Sequence, residues 1–315
     1  MSTPPLHIGA GDPSAPPAYR GGAFLACQQF MRNHAALAGF FILLLLGFAA
    51  VLAPWISPYD PTALKLSEKL LPPSFSHWMG TDYFGRDVMT RIVWGGRVSL
   101  SVAFLVVFYS LLVGVPIGLV SGFVGGRLDN ALMRMMDAFL TFPPLLLAVA
   151  IVGLLGPDLE NVVIALGIVQ IPVFARIVRG STLSAREEVY IVAARALGAS
   201  AARVVFSGIL RNIVSPIVVQ ITIVFAGAII AEASLSFLGL GSQPPDPSWG
   251  RDLSEARRYM GDAPWLIIGP ILACMLCVLS INFVGDGLRD SLDPRSWRAK
   301  TTGGSTPRVP EQVTP

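Results

Sequence analysis

Few side chains in this sequence could do covalent or metal chemistry, and their spacing argues against it. His77, Asp82 and Asp87 are ligand-type residues within one short stretch. Steps of five residues do not keep them on one helical face, and no fourth ligand stands beside them for a tetrahedral metal site. Cys274 and Cys277 form a Cys-x-x-Cys, but inside an apolar run without a companion His or Cys. Both therefore read as small packing residues. Cys27 stands alone, and no apolar core precedes Phe24-Leu25-Ala26-Cys27, so no lipoprotein-type leader is expected. No metal, cofactor or catalytic cluster is expected. The phosphate-binding pattern G-x-x-x-x-G-K-[ST] does not occur. The chain therefore carries no P-loop signature of its own.

The composition points to a membrane. Of 315 residues, 53% are hydrophobic and 14% charged, with a mean hydropathy of +0.63; soluble domains carry about 25% charged residues. The apolar residues fall in blocks near the length of about 20 that a helix needs to cross a bilayer. Six such blocks are 35–54, 98–123, 135–155, 162–178, 213–233 and 264–284. None alternates apolar and polar residues as a membrane strand does. The expected fold is all-α, a polytopic membrane bundle of about six transmembrane helices. Ionisable groups within the blocks are few. Asp137 follows Arg134 by three residues and is expected to pair with it; Glu232 lies near the end of the fifth block. Proton- or ion-coupled carriers place charges or broken helices at mid-membrane. This scarcity speaks against the alternative of an autonomous secondary carrier or channel. With the N-terminus in the cytoplasm, 15 of the 23 Lys and Arg residues fall in cytoplasmic segments, as the positive-inside rule asks. Both termini are then expected in the cytoplasm.

Between the fourth and fifth blocks lies a polar island, 187–216, reading EEVYIVAARALGASAARVVFSGILRNIVSP. Ser184 and Glu187 have the spacing of a capping box. The helix they would open carries an apolar stripe at Val189, Val192, Ala193, Ala196 and Leu197. Gly198 stands where a glycine ends a helix in the left-handed conformation. Ser200 can cap a second short helix over 201–210, ending in Ile209 and Leu210. The result is a helix–turn–helix lying across one membrane face. Its alanines offer a shallow surface to a partner's groove. Arg186, Arg195 and Arg203 offer charge to an acidic rim or to lipid headgroups. Two roles fit: a docking surface for a separate motor, and an amphipathic hairpin resting on lipid.

Other elements must position this island. The long segment after the first block contains His-Trp-Met-Gly-Thr-Asp-Tyr-Phe-Gly-Arg-Asp-Val-Met-Thr-Arg over 77–91. Thr81 or Asp82 can cap a helix entering the second block from about Arg86, with Asp87 and Arg91 as an i,i+4 pair. Gly114, Gly118 and Gly122 then stand four apart in the second block. Small residues at that spacing let a second helix approach closely.

Val192-Ala193-Ala194, then Gly198, then Ile209-Leu210 resembles the EAA loop of ABC-importer permeases, E-A-A-x-x-x-G followed by I-L-P. Gly80-Thr81-Asp82-x-x-Gly85-Arg86-Asp87 with Arg91, Gly95 and Arg97 is similar to the dipeptide/oligopeptide/nickel branch. So are Ser236-Phe237-Leu238-Gly239-Leu240-Gly241, Gly285-Asp286-Gly287-Leu288-Arg289-Asp290 after Asn282, and Asp293-Pro294-Arg295. The resemblance spans about 30–295 and is closest to the C-type subunit. It implies a permease of the bacterial inner membrane that is not itself an enzyme. Its implied partners are a second homologous permease in a heterodimer, two cytoplasmic ATPases, and an extracytoplasmic solute-binding protein. The implied cargo is peptides or related small solutes. Glu187, Val192, Ala193, Ala194, Gly198, Ile209 and Leu210 become the implied ATPase-docking residues. Two positions depart from the pattern: Val192 replaces Glu or Gln, and Arg211 replaces proline. The second change lets the second helix run on toward the fifth block. The expected organisation is a cytoplasmic tail over 1–33, a first helix and periplasmic loop over 34–97, a five-helix core over 98–290 with its coupling loop at 184–212, and a cytoplasmic tail over 291–315.

Overall fold

The computed structural model describes residues 22–292, so the expected tails before and after these lie outside the described residues. Part of the stretch read as an N-terminal tail is ordered: α1 (Gly22–Arg32) is helical and packs on the last helix of the bundle. Asn33 then caps α2 (His34–Val51), its side chain accepting the Ala36 N–H at 3.1 Å. Phe40, Phe41, Leu44, Leu45 and Phe48 of α2 are exposed, an apolar face suited to lipid. A short turn, α3 (Ala53–Ile56), leads into the irregular segment before α4 (Val88–Val124).

Among the described residues, five helical runs are long and apolar enough to cross a bilayer: α2, α4, α7 (Leu159–Arg186), Ala201–Phe237, and α12 (Trp265–Leu292). A bent pair, α5 (Gly126–Leu140) and α6 (Pro144–Leu155), brings the number to six if taken as one crossing. The expected straight span over 135–155 is thus corrected to two helices meeting at 87°. Pro143 and Pro144 are the cause. Proline cannot continue α5, but at the first turn of α6 its missing N–H has no partner to lose.

α4 and α7 form the tightest pair. A Cβ on Gly114 would lie 2.7 Å from Phe174 Cβ, and one on Gly122 2.7 Å from Thr182 Cβ. One on Gly118 would lie 2.6 Å from the Ala175 carbonyl oxygen. The glycine stripe brings the two backbones to van der Waals contact, where dispersion holds helices together in lipid. Around this pair sits the main core: Val102 and Val106 of α4, Val152 of α6, Leu166 of α7, Ile229 of α10 (Leu210–Phe237), and Cys277 of α12. Cys274 packs against the same cluster.

Candidate functional site

The two ends of the bundle carry its polar chemistry. At one end, α7 does not stop at the expected capping box. It runs on to Arg186, and Ser184 Oγ donates back to the Gly180 carbonyl at 3.3 Å. Glu187 pairs with Arg186 Nε at 3.0 Å instead of capping. Ser184 is inside a helix that packs against α4, so it has no free amide to cap. The next helix, α8 (Val189–Ala196), begins at Glu188 without a side-chain cap.

The end of α8 has the geometry the glycine suggests. Gly198 has φ of +82°. Its N–H donates to Arg195 O at 2.9 Å, and the Ala199 N–H donates to Ala194 O at 3.0 Å. These are the two bonds of a Schellman turn. Ser200 Oγ then accepts the Arg203 N–H at 3.4 Å. Beyond α9 (Ala201–Arg203), a π-helical turn at Val204–Ile209 carries the chain without a break into α10. Arg211, the departure from the I-L-P pattern, lies inside the continuous helix.

The structure separates the candidate residues of this island into two sets. Ile209 is fully buried and Leu210 half-buried, in or against the cluster of Val115, Val178, Ile191, Val204 and Ile213. They support the island from beneath. α8 anchors to this support through Ile191, which occupies the space over Gly208. A Cβ on Gly208 would lie 2.5 Å from Ile191 Cδ1. Anchoring by Ile191 turns the apolar stripe outward. Val189 is 83% exposed, Val192 51% and Leu197 89%. Ala193 and Glu187 are exposed with them, and Ala194 is half-buried. The apolar stripe therefore faces out at a polar end of the bundle.

Ion pairs tie this surface to the bundle. Asp129 of α5 receives Arg179 of α7 through both carboxylate oxygens, the longer contact at 2.7 Å, and accepts Ser121 Oγ of α4. Arg186 Nη1 donates to the Gly122 carbonyl at 2.9 Å. The expected Arg134–Asp137 pair does not form. Asp137 pairs with Arg176 of α7, because the break at Pro143–Pro144 lays α5 along α7.

The opposite end is held by a network of ion pairs and hydrogen bonds, some local and some between residues distant in sequence. Asp87 is the helix cap of α4, accepting the Thr90 N–H at 2.8 Å, so it is not the i,i+4 partner of Arg91 and neither Thr81 nor Asp82 is the cap. Arg91 turns to Asp252 of α11 (Trp249–Arg258), with its Nε at 2.9 Å. Arg86 bridges Asp82 and Glu255, both at 2.6 Å. His77 Nδ1 lies 2.9 Å from Asp87 Oδ1. Two of the three ligand-type residues therefore meet, while Asp82 is engaged by Arg86. The Trp249 indole donates to Ile92 O at 2.9 Å, over the close approach allowed by Gly95 and Gly96. Glu232 of α10 is fully buried and accepts Ser99 Oγ at 2.8 Å and Ser236 Oγ at 2.7 Å. Asp82–Arg86 and Glu232–Ser236 have the i,i+4 spacing of a local pair, but the contacts of Arg91 to Asp252, Arg86 to Glu255 and Ser99 to Glu232 span more than 130 residues and could not be paired from spacing alone.

These features define a polytopic helical membrane protein with polar networks at both ends and no metal-binding cluster among its described residues. Residues 114–298 match the family described as the binding-protein-dependent transport system inner membrane component, and 24–73 match the N-terminal TM domain of oligopeptide transport permease C. The chain belongs to this family of transport permeases; it is a membrane-embedded permease and not an enzyme. It is 44% identical over 270 residues to the dipeptide transport system permease protein DppC of Alkalihalophilus pseudofirmus, covering 86% of this chain and 89% of that one. It is 43% identical to the di/tripeptide transport system permease protein DppC of Pseudomonas aeruginosa, covering 85% and 90%. It is 44% identical to the glutathione transport system permease protein GsiD of Pectobacterium atrosepticum, covering 85% and 89%. The fold is similar to a chain of the inward-facing MetNI methionine ABC transporter, with a TM-score of 0.56 and 19% identity over 65% of this chain and 98% of that one.

Proposed function

We propose that this permease is half of the translocation pathway of an ATP-driven importer for peptides or peptide-like solutes, with α8 docking a cytoplasmic ATPase. The carrying observation is α8 itself, an eight-residue helix ended by a left-handed glycine, with Val189, Val192 and Leu197 facing out. A helix this short is not stable alone. Its fixed position over Gly208 fits a part that receives force. Three connections can pass that force on: the chain into α7, the Arg186 contact to α4, and the π-helical turn into α10. Because α4 and α7 touch along the glycine stripe, they would move as one body. A second homologous permease would complete the pathway, and both termini would face the cytoplasm, as the distribution of Lys and Arg supports. The opposite end, braced by Arg86 and Arg91, would receive the solute-binding protein. The peptide class rests on relatives named for dipeptides, di/tripeptides and glutathione, which all contain peptide bonds.

The test is uptake of a radiolabelled dipeptide by proteoliposomes holding the chain with its partner permease, ATPases and binding protein. The proposal expects accumulation that needs ATP and the binding protein. Uptake by the chain alone would support the autonomous carrier instead. No peptide uptake by the full assembly would overturn the peptide reading.

A further inference from the structure

One wall of the bundle departs from its apolar perimeter. A cavity of about 1020 Å³ opens between the first turns of α4, the start of α7 and the segments that precede α4 and α11. Arg97, Ser101, Glu160, Asp60 and Asp246 line it, and all five are exposed. These groups gather at the end of the bundle that carries the Arg86 and Arg91 pairs, and Arg97 and Ser101 carry the polar line onto α4. Arg97 also differs from its neighbours. Arg86, Arg91 and Arg251 each hold a carboxylate, but no carboxylate of the described residues pairs with Arg97. Its guanidinium lies 5.8 Å from the centre of the Trp94 ring, and the Trp94 indole is fixed by donating to Ser57 Oγ at 2.9 Å. The contact with the ring uses none of the guanidinium N–H groups, and a guanidinium edge matches a carboxylate two bonds at a time.

We propose that Arg97, beside Trp94, is a carboxylate-recognition subsite of the translocation path and engages the C-terminal carboxylate of a passing peptide. Asp60, Glu160 and Asp246 in the same cavity suit its ammonium end. Asp60 is well set for this, since the hydroxyl and backbone N–H of Thr62 hold its carboxyl below the usual carboxylate range. The proposal rests on the peptide reading above and assigns one residue to it.

The test uses the complete reconstituted transporter. Arg97→Cys is expected to lower dipeptide uptake on the order of tenfold, about the worth of one charge-assisted hydrogen bond. Modification with a cationic aminoethyl methanethiosulfonate should restore uptake, and the anionic sulfonatoethyl reagent should not. Wild type, treated alongside, reports any effect at Cys27, Cys274 or Cys277. Uptake of the C-terminal peptide amide, expressed per mole bound to the binding protein, should be indifferent to the substitution. Undiminished uptake by Arg97→Cys, failure of the cationic reagent on a labelled and assembled complex, or equal restoration by both reagents would each overturn the subsite. So would equal losses for acid and amide, which would mark Arg97 as a contact to the second permease. Failure of the wild-type complex to import any peptide strikes the peptide reading instead.

Discussion

Replacing Gly198 by valine separates the ordering of α8 from the stability of the bundle. A Cβ at Gly198 would meet nothing within 4 Å, so no neighbour is displaced. The cost is conformational. At φ of +82° an L side chain pays about 1–2 kcal/mol, and a β-branched one sits at the upper end. The global fold can absorb this by releasing the turn, which gives up the Gly198–Arg195 and Ala199–Ala194 hydrogen bonds. An eight-residue helix has little stability of its own, so 1–2 kcal/mol shifts the population of ordered α8 by roughly 5–30-fold. Copurification of the ATPase and ATP-driven uptake should both fall by about that factor. Membrane insertion and thermal unfolding of the permease in detergent should stay as in wild type. Gly198→Asn should lose less, because Asn tolerates the left-handed region. Normal ATPase binding and transport by Gly198→Val, or failure only because the whole bundle unfolds, would contradict this role for the left-handed turn.

Gly208→Val would place its branched side chain where Ile191 Cδ1 now sits, and should reduce ATPase coupling. Adding Ile191→Ala should return part of it, with an interaction energy of about 0.5–3 kcal/mol in a double-mutant cycle. Gly118→Leu should force α4 from α7 and lower the thermal midpoint, at a cost of about 1–3 kcal/mol for overpacking. Gly153→Ala, with nothing within 4 Å, is its neutral control. Asp252→Ala should cost about 3–5 kcal/mol in unfolding measurements by stranding the buried Arg91. Arg91→Met together with Asp252→Leu should recover most of the loss.

What was legible in the sequence was local. Apolar blocks of membrane length mark the spans, and Gly198 and Ser200 mark the turn between α8 and α9 because a cap needs only its own neighbours. Pro143 and Pro144 carried the signal for the broken third span, but block hydropathy averages over a break. The failures at Ser184, Asp87 and Asp137 share another cause. Each spacing allows a local bond, but Asp137 and Arg91 find partners on distant helices, Asp87 caps α4 through the Thr90 N–H, and Ser184 lies inside an α7 that runs past the expected boundary. Arg91 finds Asp252 161 residues away, and no local rule reaches that far. The direction of the α8 stripe was also hidden. Its periodicity shows that one face is apolar, while the outward orientation follows from Ile191 fitting over Gly208.

That outward face is the centre of the functional account, and Leu197, 89% exposed, is its most prominent residue. Leu197→Cys labelled with a benzophenone maleimide and irradiated in the assembled transporter should crosslink to the ATPase subunit. The same probe on Phe75→Cys, in the segment before α4, should not. If position 197 in an intact, transporting complex gives no ATPase adduct, or if it reacts with an impermeant thiol reagent added from outside the cell, α8 does not dock the motor.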